Sequence, residues 1–179
     1  MLLWWAALCL PPSSRGYDVD PHIDTAYSYL NVREVRPNRS PQIDVFNRAV
    51  GNRLGSPYCG AFAGYCLLKG GAKHPKVLSG LARHYLTKAT IRYTAGDVLS
   101  GRMKVHKGDL VIWQRGNGIY GHVGFAYSDW KKDEGLTIEG NTLPMFKEMG
   151  KQEGVFVRLR KIEPYNHFRI VGFARVTYD

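Results

Sequence analysis

The segment Gly55-Ser56-Pro57-Tyr58-Cys59-Gly60-Ala61-Phe62-Ala63-Gly64-Tyr65-Cys66-Leu67-Leu68 decides how the chain is read. Its start, Gly55 to Tyr58, is turn chemistry, and small and apolar residues then run on to Gly70-Gly71. This pattern predicts a buried helix that begins near Cys59 and stops at the glycine pair. Cys59 then sits in the first turn and Cys66 two turns deeper. Seven helical residues span roughly 10 Å, whereas a disulfide needs Cα atoms within about 7 Å, so these thiols cannot bridge while the helix is intact.

Upstream of this helix, Ile23 to Val32 carries apolar residues at helical spacing, with Asp20 or Asp24 near its start. Arg36 to Pro41 is a loop by its prolines and polar residues. Ser40 can cap a helix opened by Pro41 and running from Gln42 to Val50, with Ile43, Phe46 and Val50 on one face. Downstream, Leu78 to Leu86 is read as a further helix. From Lys107 the period changes to two. Leu110–Trp113, His122–Tyr127, Leu136–Glu139, Gly154–Arg160 and Ile170–Val176 read as strands separated by glycine-rich or charged turns. Helices first and strands second predict an α+β domain built on an antiparallel sheet.

The 179 residues suit one domain, here residues 17–179, and the hydrophobic fraction of 44% is that of an ordinary globular chain. The formal net charge of +10 favours a polyanionic surface as partner. Lys and Arg are nevertheless scattered, with no basic block or nucleic-acid motif, so no nucleic acid is expected. Residues 1–16 differ from the rest. Leu2 to Leu10 is an apolar run too short to span a bilayer of roughly 30 Å, followed by Pro11-Pro12 and small residues. It reads as a signal peptide or leader, which predicts a secreted or periplasmic protein without stable membrane insertion.

A thiol attacks as thiolate, and a helix N-terminus supplies the positive potential and free N–H groups that favour it. Cys59 holds that place; Cys66 reads as a small core residue. The base expected beside it is His122, which opens a strand between Gly121 and Gly124, glycines that leave room around it. The other five histidines read as surface or structural. A third polar group must orient the imidazole, and the strand Leu136 to Asn141 offers Glu139 and Asn141. Two residues apart on a strand, these would face one side.

Four segments now stand in order: Gly55 to Phe62, Lys107-Gly108-Asp109-Leu110-Val111, Gly121-His122-Val123-Gly124-Phe125 and Ile138-Glu139-Gly140-Asn141. Together they resemble the CHAP domain, the cysteine, histidine-dependent amidohydrolase/peptidase family. Asn31 to Glu34 and Pro41 to Asp44 resemble its lead-in, and the likeness covers roughly residues 25–176. The resemblance implies a papain-like (NlpC/CHAP-type) fold and cleavage of peptidoglycan amide bonds in bacterial cell walls through a cysteine acyl-enzyme. The implied enzyme is an N-acetylmuramoyl-L-alanine amidase or a stem-peptide or cross-bridge endopeptidase. Carried over by position, Cys59 is nucleophile, His122 base, Glu139 its orienter and Asn141 a further active-site polar residue. Some relatives bind calcium through an acidic loop before the cysteine. Asn47 to Tyr58 contains no carboxylate, so neither metal nor other cofactor is expected. The implied partner is peptidoglycan, the protein is expected to be a monomer, and any immunity or inhibitor protein stays unidentified. Rival readings are an NlpC-type endopeptidase, an amidase for a small peptide conjugate, and a catalytically inactive wall-binding protein of the same fold.

Overall fold

A computed structural model of the chain describes residues 20–163 and 167–179. The leader expected over residues 1–16 lies outside these. Among the described residues, no helix is long and apolar enough to cross a membrane.

Helices gather in the first half: α1 Pro21–Ser28, α2 Pro41–Ala49, α3 Cys59–Lys69, α4 Ala82–Thr87 and α5 Ala95–Leu99. The strands are β1 Arg92–Tyr93, β2 Leu110–Arg115, β3 Gly121–Ala126, β4 Glu134–Thr142, β5 Gly154–Lys161 and β6 Phe168–Ala174. They form one antiparallel sheet in the order β1-β6-β2-β3-β4-β5. The α+β papain-like fold expected from the sequence is the fold of the protein.

Alternation along the strands divides the sheet into two faces. Leu110, Ile112, Val123, Phe125 and Ile138 pack with α1 to α4 in the larger core. Val111, Trp113, Ala126 and Phe173 build a second cluster on the opposite face, with Tyr93, Val98 and Trp130. In α2, the Ser40 hydroxyl accepts from the Ile43 N–H at 3.2 Å, as the Ser-Pro start predicts.

Three segments depart from expectation. The first helix begins at Pro21 and ends at Ser28, before Val32. Asn31 takes a positive φ of 67°, and the chain then runs along the edge of β5: Asn31 N–H donates to Val155, and Val155 N–H to Val32, each at 2.9 Å. Pairing to a sheet edge has won over helical periodicity there. The helix expected from Leu78 shrinks to Ala82–Thr87. Finally, β1 and α5 were not expected, although Thr94 and Asp97 form a capping box that the sequence spells out.

Candidate active site

The α3 helix presents Cys59 at its first position because its glycines admit other chain segments. A Cβ on Gly60 would stand 2.5 Å from the Gly80 carbonyl oxygen, so only glycine lets the 79–80 loop lie against the first turn. Tyr85 of α4 fixes this contact. Its hydroxyl lies 2.7 Å from the Gly60 carbonyl and 2.8 Å from that of Ser79, donating between them. Among the described residues no side chain caps the opening N–H groups of this helix at Tyr58.

His122 faces Trp113 across β2 and β3, with ring centroids 5.4 Å apart. Gly124, two residues on, pairs with Glu139 of β4. The room expected beside these glycines is filled. A Cβ at Gly124 would stand 2.6 Å from the Glu139 side chain, and one at Gly121 would stand 2.0 Å from the Trp113 carbonyl oxygen. Glycine at 124 thus lets the Glu139 side chain lie across β3 and reach the imidazole.

Glu139 is fully buried, and its Oε2 lies 2.8 Å from His122 Nε2. That leaves Nδ1 for the Cys59 thiol, which hydrogen-bonds the imidazole. The carboxylate is held on its other sides too. Thr137 Oγ1 donates at 2.6 Å, Arg160 Nε donates to Oε1 at 2.7 Å, and Arg160 Nη2 donates to Oε2 at 2.5 Å. The Arg160 guanidinium also lies over the Trp113 ring, 5.6 Å from its centroid. Neither Thr137 nor Arg160 was singled out from the sequence. Thr137 is legible, since it sits two residues before Glu139 on one strand face. Arg160 depends on strand register, which sequence spacing does not give.

These contacts set the charges. Burial would lower the His122 pKa, but the Glu139 carboxylate and the Cys59 thiolate raise it to about 10. Burial would lower the acidity of Cys59, yet the hydrogen bond and charge of His122, with the N–H groups of Gly60 and Val123, bring its pKa below the usual thiol value. Burial opposes ionisation of Glu139 as well, and Arg160 and His122 overcome it, holding the carboxyl far below its ordinary range. These contacts favour a thiolate–imidazolium pair over a neutral thiol and imidazole. Cys66 is fully buried, and burial pushes its thiol well up, consistent with a core residue.

Asn141 is not placed by strand alternation. The ladder shifts register between Glu139 and Thr142, and Asn141 takes a φ of 59°, tolerable for asparagine. The turn carries its side chain to the start of α3, where Oδ1 accepts from the Tyr58 N–H at 3.0 Å. Its Nδ2 donates to Asn38 Oδ1 at 3.2 Å and to the Glu153 carboxylate. Asn141 therefore steadies the residue before Cys59, while Glu139 holds the imidazole.

A cleft of about 710 Å³ opens beside this network, lined by His122, Asn141, Glu153, Arg160, Trp113 and Phe168 among others. Among the described residues, no three His, Cys, Asp or Glu side chains gather as a metal site.

A cysteine at the head of a helix, packed on an antiparallel sheet that supplies a carboxylate-held imidazole, defines the papain-like class of thiol sites. The chain belongs to the CHAP domain family, whose pattern it matches over residues 51–141. CHAP domains are in general amidohydrolases and peptidases that act on peptidoglycan. Neither curated proteins nor solved structures gave a match to the chain. Arg160 and Glu153 lie beyond the matched residues, so their parts rest on geometry alone.

Proposed function

We propose that this protein is a secreted cysteine hydrolase that cleaves one amide bond of bacterial peptidoglycan, with Cys59 as nucleophile and His122 as acid and base. The reading is carried by one observation: His122 is gripped by Glu139 through Nε2, at 2.8 Å, and the same imidazole acts on the Cys59 thiol by hydrogen bond and charge. Both groups are thereby ionised and oriented before substrate arrives.

In the proposed reaction, the Cys59 thiolate attacks the amide carbonyl. Uncapped N–H groups in the first turn of α3 stabilise the oxyanion that develops. Imidazolium His122 gives its proton to the departing amine, leaving an acyl-enzyme. Neutral His122 then takes a proton from water, the hydroxide adds to the thioester, and the carboxylic acid leaves as the thiolate re-forms. Glu139 keeps the ring aligned, and Asn141 holds the backbone at Tyr58. The reaction fits either an N-acetylmuramoyl-L-alanine amidase or a stem-peptide or cross-bridge endopeptidase. The net charge of +10 favours accumulation on an anionic wall, and a leader over residues 1–16 accounts for export.

Purified peptidoglycan treated with wild type, Cys59→Ala and His122→Ala tests this reading. The wild type should release new amino termini or lactoyl-linked sugars, identified by mass spectrometry of the muropeptides, and both variants should be silent. Undiminished release by either variant sinks the assignment.

A further inference from the structure

Glu153 lines one end of the cleft, and Glu34 stands opposite it where the 31–34 segment pairs along β5. Glu34 belongs to the segment that runs along β5, and its N–H donates to the Glu153 carbonyl at 3.0 Å. Glu153 lines the cleft with His122, and its carboxylate accepts from Asn141 Nδ2. Asn141 in turn holds the Tyr58 N–H. Glu153 is therefore one side chain removed from the residue preceding Cys59.

Like charges facing each other on adjacent strands are destabilising, and a chain with 25 Lys and Arg against 15 Asp and Glu has cations to spare. Yet among the described residues no Lys, Arg or His forms an ion pair with either carboxylate. Among the described residues, Glu34 Oε1 is shielded from solvent without a hydrogen-bond partner. The hydroxyl of fully buried Tyr58, which stands in the field of both carboxylates, has no partner among those residues either. Burial and the charge of Glu34 push the Glu153 carboxyl above its ordinary value. Two carboxylates and a phenol oxygen with spare acceptor capacity match a compact cation with several N–H donors.

We propose that Glu34 and Glu153, beside the Tyr58 hydroxyl, form a subsite for a protonated primary amine of the substrate, so that the enzyme selects peptide strands with a free amino group near the scissile amide. This rests on the hydrolase reading and narrows its substrate class. A muropeptide whose amine is acylated loses the charge and two donors, and leaves the carboxylates unpaired.

Muropeptides released from purified wall by a muramidase, with half of the preparation N-acetylated by acetic anhydride, provide the probe. Binding is measured by calorimetry with Cys59→Ala, and turnover with active protein. Free-amine muropeptides should bind about tenfold or more tightly than acetylated ones, the size expected of hydrogen bonds to charged groups. In Glu153→Gln the amide oxygen still serves Asn141, but the preference should fall several-fold, through KM more than kcat. Glu34→Gln should do the same, and it decides the matter should the first variant fail to fold. Equal binding of both forms by Cys59→Ala overturns the proposal, as does a preference that survives both substitutions. Absence of turnover of either form by the active protein overturns the hydrolase reading separately, since the binding comparison does not depend on cleavage.

Discussion

Replacing Glu139 by glutamine removes one charge and almost no volume, which makes it a sharp probe of the resting ion pair. His122 is raised from 6.5 to about 10, and attraction to Glu139 leads the effects that raise it. An opposite charge at hydrogen-bond distance is worth on the order of 2 pKa units, so about 3 kcal/mol of preference for the imidazolium should vanish with the charge. Burial would then act on His122 and Cys59 with less opposition, moving the imidazole down and the thiol up. The ion-pair fraction at pH 7 should fall by about tenfold to a hundredfold. The assay is the rate of Cys59 alkylation by iodoacetamide from pH 5 to 10, followed by mass spectrometry. In wild type the rate should hold across neutral pH, because the thiol lies below its usual value and His122 keeps its proton to about pH 10. In Glu139→Gln the profile should shift to alkaline pH. Arg160 would lose its carboxylate partner, at a cost on the order of 3 kcal/mol, moderated by its solvent contact and its stacking on Trp113. A folded Glu139→Gln alkylated at pH 7 within about threefold of wild type would refute the ion-pair account.

Other outcomes follow from separate contacts. Asn141→Ala frees the Tyr58 N–H next to the nucleophile, and kcat on peptidoglycan should drop by about tenfold to a hundredfold while Cys59 alkylation changes little. Gly60→Ala drives a methyl into the Gly80 carbonyl oxygen and should lower Tm by about 2–8 °C in a calorimetric scan. His22 is buried, accepting from Tyr178 at Nδ1 and donating to the Gly108 carbonyl at 2.8 Å, and burial depresses its pKa from 6.5 to about 4. Its neutral form is the folded one, so its contribution is complete above pH 6.5 and declines as pH falls towards 4. That loss amounts to about 3 kcal/mol, and denaturant titrations at pH 7 and 4 should show a smaller drop in His22→Gln.

Much of the fold was legible because the chain changes period where it changes structure. The five strands from Leu110 onward were read almost in place, and the Ser40-Pro41 start marked α2. The losses have a common cause. Residues 29–32 carry a helical pattern, but the free edge of β5 offered their backbone groups partners that a sequence does not reveal. The site was legible in outline for the same reason that it works. Cys59 at the head of a glycine-bearing helix and Glu139 opposite Gly124 are local placements, and the structure brings Cys59, His122 and Glu139 together. Asn141 lines the cleft but does not face the side that strand alternation gives it, because a bulge overrides alternation. Arg160, Tyr85 and Glu153 reach the site from elements whose register or packing only the folded chain defines.

The seven-residue interval between the two cysteines of α3 has a further consequence wherever oxidants reach the protein. Cys59 is 6% exposed and more acidic than an ordinary thiol, which admits peroxide to a sulfur prone to oxidation, while Cys66 is sealed in the core. A sulfenic acid formed at Cys59 would find no partner at Cys66 to trap it as a disulfide, so recovery would depend on a small thiol diffusing in through the substrate's own entrance.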